Sequence, residues 1–268
     1  MRYDPIKKNL GEFFNRSPWL RKLFYHLLDL LLLRSWYVQY ELRKWAKKAG
    51  NKVHVLDAGS GFGQYTYFLS RMRPEWNILA VDVKEEQVCD CNGFFRRLGR
   101  EQVLFKTADL LKMRHDNAFD LILSIDVMEC IADDMEVFRN FQHSLKEGGM
   151  LLVSTPSDIN GSDEGRNEGS WFIEEQVREG YNIDEIQEKL RAAGFSRVRA
   201  RYSYGTMGRL SWKLSVKLPM LLLGYSKLFF VILPVYYLFV YPVSFVLNML
   251  DMGVVHRSGS GLIVKAYK

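Results

Sequence analysis

The most informative residues for chemistry are an acidic residue and the three alternating glycines that follow it. They form the run Asp57-Ala58-Gly59-Ser60-Gly61-Phe62-Gly63. A strand that ends in such a run and leads into a helix presents backbone N–H groups at the helix start, where no side chain blocks a ligand. Dehydrogenases that use nicotinamide dinucleotides have the spacing Gly-x-Gly-x-x-Gly instead. The run therefore predicts a site for a small ligand of another kind.

Two further carboxylates lie at the ends of the next two predicted strands. Asp82 comes 19 residues after Gly63, the spacing expected of a carboxylate that binds ribose hydroxyls. Ala108-Asp109-Leu110 offers a carboxylate for an adenine amino group, with small and apolar neighbours for the ring. Taken singly, Asp82 could cap the following helix and Asp109 could be a solvated loop acid. Together with the glycine run they predict an adenosine-containing ligand, because open α/β sheets bind ligands at the carboxyl ends of their strands.

Short β-branched runs alternate with helical stretches along the chain, which is typical of βαβ units. We predict strands at Val53–Asp57, Asn77–Asp82, Gln102–Phe105, Phe119–Ser124, Met150–Ser154, Ser196–Tyr202 and Gly261–Lys268. We predict helices at Pro18–Gly50, Asp133–Lys146 and Ile183–Ala193. The chain then divides into a basic helical segment (1–50), a ligand-binding core (51–204), an apolar helical insert (205–260) and a final core strand (261–268).

Residues from about 50 to 200 resemble class I S-adenosylmethionine-dependent methyltransferases of the sort that act on quinones and other small or lipophilic molecules. Besides the glycine run, the resemblance rests on Phe119–Glu129, Leu145–Gly149 and Gly180–Phe195. It implies a Rossmann-like α/β fold with a mixed seven-stranded sheet whose last strand is antiparallel. An N-terminal helix and an apolar helical insert between strands six and seven complete the expected fold.

The resemblance also implies S-adenosylmethionine as the cofactor and S-adenosylhomocysteine as its product. The expected donor-binding residues lie on the glycine run and at the following strand ends. They are Asp57, Gly59, Ser60, Gly61, Gly63, Asp82, Val83, Ala108, Asp109, Leu110, Ser124 and Ile125.

The sequence does not identify a general base. A nitrogen acceptor needs only to be neutral, whereas a phenol or an enol must also lose a proton. The family often has histidines where this chain has Cys130 and Gln176. His115, His143 and His256 remain as candidates, although none of them lies in a diagnostic motif.

Charge is distributed unevenly, with a net +8 over residues 1–52, −9 over 53–200 and +7 over 201–268. An acidic centre would repel phosphates, which argues against nucleic acid as the main partner. Basic flanks rich in aromatic residues instead predict contact with an anionic membrane surface. The polar start of the chain does not resemble a secretory signal, and three cysteines form neither a disulfide framework nor a zinc site. We therefore expect a cytoplasmic location at the inner face of the membrane, and no metal.

The stretch Leu218–Leu250 is apolar and long enough to span a bilayer, although Pro234 and Pro242 interrupt it and favour a bent or broken helix. A single crossing would place strands six and seven on opposite sides, so we expect a re-entrant or in-plane element, or a cap over the site. Membrane contact is expected to be peripheral or monotopic, through residues 18–50 and 218–250. The expected acceptor is a lipophilic small molecule such as a quinone, a pigment, a sterol-like molecule or a lipid.

Two alternatives remain at this point. The chain could be a non-catalytic donor-binding scaffold in a membrane enzyme complex, since Cys130 and Gln176 replace the family's histidines. It could also be a soluble methyltransferase whose apolar insert forms a dimer interface. Residues 154–181, rich in small and polar side chains, are expected to form a lid. The oligomeric state, the acceptor and the methylated atom stay open.

Overall fold

The computed structural model describes residues 17–161, 177–225 and 229–268. Its strands are β1 His54–Ala58, β2 Asn77–Asp82, β3 Val103–Thr107, β4 Phe119–Ile125, β5 Leu145–Pro156, β6 Arg197–Ser203 and β7 Gly261–Tyr267. They form one sheet in the order β3-β2-β1-β4-β5-β7-β6. Strands β1 to β5 run parallel, and β7 lies antiparallel between β5 and β6. The predicted Rossmann-like mixed sheet with an antiparallel last strand is confirmed.

Helices cover both faces of this sheet. Their bounds are α1 Pro18–Leu31, α2 Leu33–Ala46, α3 Gln64–Met72, α4 Glu85–Arg97, α5 Asp134–Ser144, α6 Ile183–Ala192, α7 Thr206–Trp212, α8 Leu218–Tyr225 and α9 Phe229–Gly253. Neighbouring side chains of a strand point to opposite faces, so Val55 packs towards α1 to α4 and Leu56 packs towards α5 and α6. The parallel strands are therefore buried on both sides, which explains their nearly continuous apolar sequences.

The N-terminal segment contains two helices, so the prediction of one helix over Pro18–Gly50 is wrong. The backbone is extended at Leu32, with φ −92° and ψ 110°. Arg21 of α1 donates to the carbonyl oxygen of Phe62 at 2.9 Å, within the glycine run. Glu41 of α2 forms ion pairs with side chains of β6 and β7. The break lets α1 cover the glycine run while α2 packs on the sheet.

The start of β5 also differs from the prediction. The strand begins at Leu145 instead of Met150, and α5 ends one residue before it. The pairing of β4 with β5 shifts register between these two positions, and Gly148 adopts φ 74°. Residues 147–149, which lie between the predicted helix Asp133–Lys146 and the predicted strand, are therefore an irregularity within β5, where a glycine accommodates the left-handed backbone.

The insert between β6 and β7 is an antiparallel helical hairpin, formed by α7, a π-helical turn at Lys213–Lys217, α8 and α9. Ser211 Oγ donates to the carbonyl oxygen of Ser244 at 3.2 Å across its two arms. The predicted helical insert is confirmed. Pro234 and Pro242 lie inside α9 without ending it, so the alternative of a broken helix at these prolines is wrong.

Candidate donor and acceptor site

The carboxyl ends of β1, β2, β3 and β4 bring the predicted donor-binding residues to one edge of the sheet. The N–H groups of Gly59 and Ser60 both donate to the carbonyl oxygen of Val81 at 2.9 Å. The N–H of Ala108 donates to the carbonyl oxygen of Asp82 at 3.0 Å. Backbone hydrogen bonds thus link the three segments that sequence analysis assigned to one ligand.

The glycine run has a left-handed backbone at Gly59, Gly61 and Gly63, with φ 78°, 50° and 77°. A Cβ on Gly59 would lie 2.2 Å from Cγ2 of Val127, which follows β4. A Cβ on Gly61 would meet nothing within 4 Å among the described residues. The first glycine is therefore required by close packing, and the second leaves open space in front of the turn for a ligand.

The side chains of Asp82 and Asp109 each accept hydrogen bonds from nearby backbone N–H groups. Asp82 accepts from the N–H of Gly61 at 2.9 Å and from the N–H of Lys84 at 3.0 Å. Asp109 accepts from the N–H of Leu111 at 3.0 Å, and 44% of its side chain is exposed. Each carboxylate oxygen can accept a second hydrogen bond, so capping and ligand binding are compatible. Donor contacts of these acids and of Val83 and Leu110 stay predictions.

Asp57 is 2% exposed, and its carboxylate accepts a hydrogen bond from Thr66 Oγ1 at 2.5 Å. Burial raises its pKa to about 6, and the nearby charge of Asp82 acts in the same direction, whereas the hydrogen bonds from Thr66 oppose the rise. The carboxylate therefore ties β1 to the first turn of α3, and this contact fixes the orientation of the glycine run.

A polar cluster at this edge was missed by the sequence analysis. Arg34 of α2 forms an ion pair with Asp126, a residue with φ 53° directly after β4. The backbone N–H of Arg34 donates to the hydroxyl of Tyr204 at 2.8 Å. Asp126 lies within the fourth-strand motif and could have been noticed. The sequence holds no local signal for Arg34, because a distant helix brings it to the site.

Glu129 is the most deeply buried acid of this edge. Glu129 is 0% exposed, and its Oε2 accepts a hydrogen bond from Thr155 Oγ1 at 3.0 Å. Oε1 has no hydrogen-bond partner among the residues described. Burial raises the pKa of Glu129, against the opposing effects of its own backbone N–H, of Thr155 and of the charges of Arg34 and Arg178.

Both predicted donor-binding serines also carry buried hydroxyls without a partner in the described part of the chain. They are Ser60, in the glycine run, and Ser124, near the end of β4. Buried polar atoms are usually hydrogen-bonded, so a set of unsatisfied ones beside an open glycine turn fits a polar ligand. S-adenosylmethionine would suit this arrangement, and we expect Gly61 and Ser60 to hold its amino acid end and Asp82 to hold its ribose. When bound it supplies an activated methyl group on a sulfonium.

Two of the three histidine candidates are not brought to the site. His143 binds Asp116, and the backbone N–H of His115 donates to Ser144 Oγ at 3.1 Å. Both histidines lie near the amino end of β4, about 20 Å of strand from its carboxyl end. The prediction of His115 and His143 as candidates for the base is therefore wrong, because a base must reach the acceptor directly or through one water.

The third candidate, His256, lies at the base of the hairpin. Its Nε2 is 2.9 Å from the carbonyl oxygen of Asp251 and 3.2 Å from Oδ1 of the same residue. The ring is thereby engaged with the last turns of α9. Gln176 and most of the predicted lid lie outside the described residues. Within the described ranges, no group of three or more His, Cys, Asp or Glu side chains is placed to hold a metal ion.

Comparison with known proteins finds similar sequences and similar folds. Residues 49–194 match a family model described as "Methyltransferase domain". Malonyl-[acyl-carrier protein] O-methyltransferase of Bacillus anthracis is 29% identical over 107 residues, which cover 40% of this chain and 39% of that protein. Phosphoethanolamine N-methyltransferase 1 of Triticum aestivum is 30% identical over 162 residues, covering 57% of this chain and 30% of that protein.

Solved structures show the same fold. Phosphoethanolamine N-methyltransferase 2 of Haemonchus contortus in complex with S-adenosyl-L-methionine superposes with a TM-score of 0.56 at 15% identity, over 81% of this chain and 49% of that chain. A SAM-dependent methyltransferase from Aquifex aeolicus gives 0.51 at 23% identity, over 76% of this chain and 95% of that chain.

The chain spans between 30% and 39% of the length of the two curated relatives, so their acceptors remain statements about those proteins. The family match, in contrast, covers more than half of the chain and includes the glycine run, Asp82, Asp109 and Glu129. The chain therefore belongs to the methyltransferase-domain family, within the class I enzymes that use S-adenosylmethionine as methyl donor.

Proposed function

We propose that this chain transfers a methyl group from S-adenosylmethionine to a lipophilic small molecule at the inner surface of a membrane. The observation that carries the proposal is an apolar helical hairpin rooted at the same edge of the sheet as the donor turn. The hairpin would hold the site at the lipid surface, where an acceptor dissolved in the bilayer could enter it.

Both ends of the hairpin meet at the carboxyl edge of the sheet. Ser203 at the end of β6 pairs with Gly261 at the start of β7, and Gly261 pairs with Pro156 at the end of β5. Near the base, the fully buried Asp251 accepts from Tyr37 Oη and from the Gly208 N–H, each at 2.8 Å. Because both arms start from one side, the geometry favours monotopic insertion over a single crossing.

The polarity of the hairpin is the reverse of that of a water-soluble helix pair. Its buried residues include Ser211, Ser215, Ser244 and Asn248, each at most 2% exposed. Its outer surface carries large apolar residues that are more than half exposed, including Val231, Ile232, Val235, Leu238, Phe239 and Met249. Small and polar residues between helices and apolar residues outside are typical of helices surrounded by lipid.

The length and composition of α9 agree with this view. Val231–Gly253 has 23 residues, and its most apolar 18-residue stretch has a mean hydropathy of 1.7 and is only 11% buried, so the segment is long and apolar enough to cross a membrane. An exposed apolar surface of this extent marks an interaction site in a soluble domain. The buried polar residues between the two arms favour lipid, and not a second copy of the chain, as the partner that covers this apolar surface.

Backbone groups at the π-helical turn are satisfied within the hairpin. Tyr236 Oη donates to the carbonyl oxygen of Leu214 at 2.6 Å, and Tyr237 Oη donates to that of Ser215 at 2.7 Å. In hydrocarbon, an unpaired backbone carbonyl costs several kcal/mol. These two hydrogen bonds make the irregular turn compatible with a lipid environment.

Helix α1 offers a second apolar surface. Trp19, Leu23, Leu27 and Leu30 are each at least 39% exposed, and their spacing places them on one face of the helix. A groove of about 370 Å³ lies between α1, α2 and α9, with Leu30, Tyr241 and Phe245 in its lining. Most of α2 is buried against the sheet, so the proposed membrane contact of residues 18–50 narrows to α1.

Donor binding is tested by calorimetric titration of the protein in detergent micelles with S-adenosylmethionine and, separately, S-adenosylhomocysteine. We predict that Asp82→Ala weakens binding by about 100-fold, because two charge-assisted hydrogen bonds to the ribose are lost. The matched control is Asp116→Ala, an acid with an 80% exposed side chain at the opposite edge, which should bind normally. Normal binding by folded Asp82→Ala would contradict the ribose assignment. Absence of binding by the folded wild type would overturn the proposed function.

Membrane contact is tested by co-sedimentation with vesicles of phosphatidylcholine, with and without phosphatidylglycerol. We predict that the wild type sediments with both kinds of vesicle, and more strongly with the anionic ones. Leu238→Glu combined with Phe239→Glu should reduce the bound fraction at least about tenfold, because charged side chains in the bilayer are costly. Leu104→Glu, on the edge strand β3, is the control at an exposed apolar position and should sediment like wild type. A wild type that stays in the supernatant as a dimer, and becomes monomeric in the double variant, would favour the dimer-interface alternative.

A further inference from the structure

We propose that Glu129 accepts the proton of the acceptor's hydroxyl group, and that the acceptor is therefore a lipophilic phenol or enol methylated on oxygen. This inference rests on the proposed function and makes its acceptor class specific. It assigns Oε1 of Glu129 and the Nε–H of Arg34 to one acceptor oxygen.

Packing brings Glu129 close to the donor turn. Val127, two residues earlier, touches the turn so closely that Gly59 cannot carry a Cβ. The short 3₁₀ helix Met128–Cys130 then carries Glu129 across the ends of β4 and β5. The methyl donor and this carboxylate are thereby held by neighbouring loops, which is the arrangement that positioning catalysis requires.

The unpaired oxygen of Glu129 indicates that something else binds there. A buried polar atom left without a partner costs roughly 1–3 kcal/mol, and more when it is charged. Thr155 satisfies Oε2, whereas Oε1 of Glu129 and the Nε of Arg34 are buried without a hydrogen-bond partner of good geometry among the described residues, and the Tyr65 hydroxyl beside Arg34 is buried in the same way. One acceptor hydroxyl can satisfy both atoms, because it donates to the carboxylate and accepts from the guanidinium.

The groups around Glu129 favour an oxygen acceptor over a cationic nitrogen. The charged and titratable groups nearest it are Arg34 from α2 and Arg178 before α6, with Tyr65 beside Arg34 and Tyr181 beside Arg178. Both guanidinium groups are already ion-paired, Arg34 with Asp126 and Arg178 with Asp134. The Nε–H of Arg34 can still donate to an acceptor oxygen and stabilise the negative charge that develops as this oxygen loses its proton, whereas an ammonium has no lone pair to accept it. An acceptor that is already a carboxylate would be repelled by Glu129 itself.

The proton and electron balance of the step is simple. The acceptor oxygen forms a bond to the methyl carbon, and the C–S bond of the sulfonium breaks with its electron pair remaining on sulfur. The hydroxyl proton passes to Oε1 of Glu129 and is later released to solvent. Burial helps here, because a carboxylate with a raised pKa is a stronger base than an exposed one.

The test uses full-length protein saturated with S-adenosylhomocysteine in detergent micelles. Two probes of nearly equal shape are titrated, 2-naphthol and 2-methoxynaphthalene, which lacks the hydroxyl proton. We expect the wild type to bind naphthol about tenfold more tightly, the difference that one charge-assisted hydrogen bond makes. Glu129→Gln should reduce this preference to about threefold or less while S-adenosylhomocysteine still binds, because the neutral amide is a weaker acceptor.

The pH dependence adds a measurement that does not depend on whether Glu129→Gln folds. The wild-type preference for naphthol should disappear as pH falls through the raised pKa of Glu129, since the protonated acid no longer accepts strongly. Thr155→Val removes a hydrogen bond that stabilises the carboxylate, so the pH at which the preference disappears should move upward.

Equal binding of the two probes, or binding of neither, would overturn the inference. Tighter binding of 2-naphthylmethylammonium than of naphthol would overturn it in favour of a nitrogen acceptor. Failure of S-adenosylhomocysteine itself to bind the folded wild type is a different result, because it removes the proposed function as a whole.

Discussion

Gly59→Ala is expected to destabilise the protein by about 3 kcal/mol and to weaken S-adenosylmethionine binding by on the order of 100-fold. A left-handed backbone costs alanine about 1 kcal/mol or more, and forcing a methyl group into a packed contact costs about 1–3 kcal/mol. The new Cβ would lie 2.2 Å from Cγ2 of Val127, a stiff β-branched side chain. Displacing the turn would misplace the unpaired Ser60 hydroxyl and close the open space in front of Gly61, and losing roughly two hydrogen bonds to the donor accounts for the affinity. Urea denaturation and calorimetry measure the two effects.

Two comparisons separate the clash from the backbone strain. Gly61→Ala has a similar left-handed backbone but open space around its Cβ, so it should lose only about 1 kcal/mol of stability. Its methyl group would still occupy the space in front of the turn and weaken donor binding. Gly59→Ala combined with Val127→Ala should recover roughly half of the lost stability by relieving the overpacking. A double variant no more stable than Gly59→Ala would show that the contact with Val127 is not the cause.

Asp57→Asn is expected to make the protein more stable than wild type by about 3 kcal/mol at pH 7.5 and by only about 1 kcal/mol at pH 4.5. The pKa of Asp57 is raised from 3.8 to about 6 in the folded state, with burial as the main cause. The folded protein therefore binds this proton more tightly than the unfolded chain does. Stability from this group is present at low pH and is lost as pH rises from about 4 to about 6. Asparagine keeps an acceptor for Thr66 and removes the cost of burying a charge.

The measurement is urea denaturation of both proteins in micelles across this pH range. Asp116→Asn is the control, because its side chain is 80% exposed and its difference from wild type should change little with pH. A constant difference between Asp57→Asn and wild type would contradict the assignment of a raised pKa to Asp57. Calorimetry on the same variant shows whether the charge of Asp57 also contributes to donor binding. Such a contribution is expected where a binding site retains a group that lowers the stability of the fold.

Local patterns in the sequence were reliable where backbone geometry decides the structure. The second strand, Asn77–Asp82, has the predicted bounds, and the other strands except β5 lie close to their predicted positions. The glycine run, Asp82 and Asp109 meet at one edge because carboxyl ends of parallel strands always lie together. The same reasoning failed for the helix over Pro18–Gly50, since its break at Leu32 depends on what each half packs against.

The histidines illustrate the opposite limit. His115 and His143 were named because of their chemistry alone, and the tertiary structure places both at the far edge of the sheet. Glu129 was read only as the last residue of the fourth-strand motif and was not named as a functional group. Its role as a candidate base emerges only when Arg34, from a helix far earlier in the chain, is seen beside it.

The sequence by itself determined the parallel sheet, the donor turn with its two acids, and an apolar insert that must leave and re-enter the sheet at one edge. These features depend on strand and helix periods and on glycine conformation, which act over a few residues. The polar stripe Ser244, Asn248 and Asp251 also had helical spacing and could have been recognised. Only the tertiary structure decided that this stripe faces the other arm of the hairpin and that Arg34 lies beside both Asp126 and Glu129. Such contacts join residues distant in the chain, and packing of whole helices on the sheet sets them.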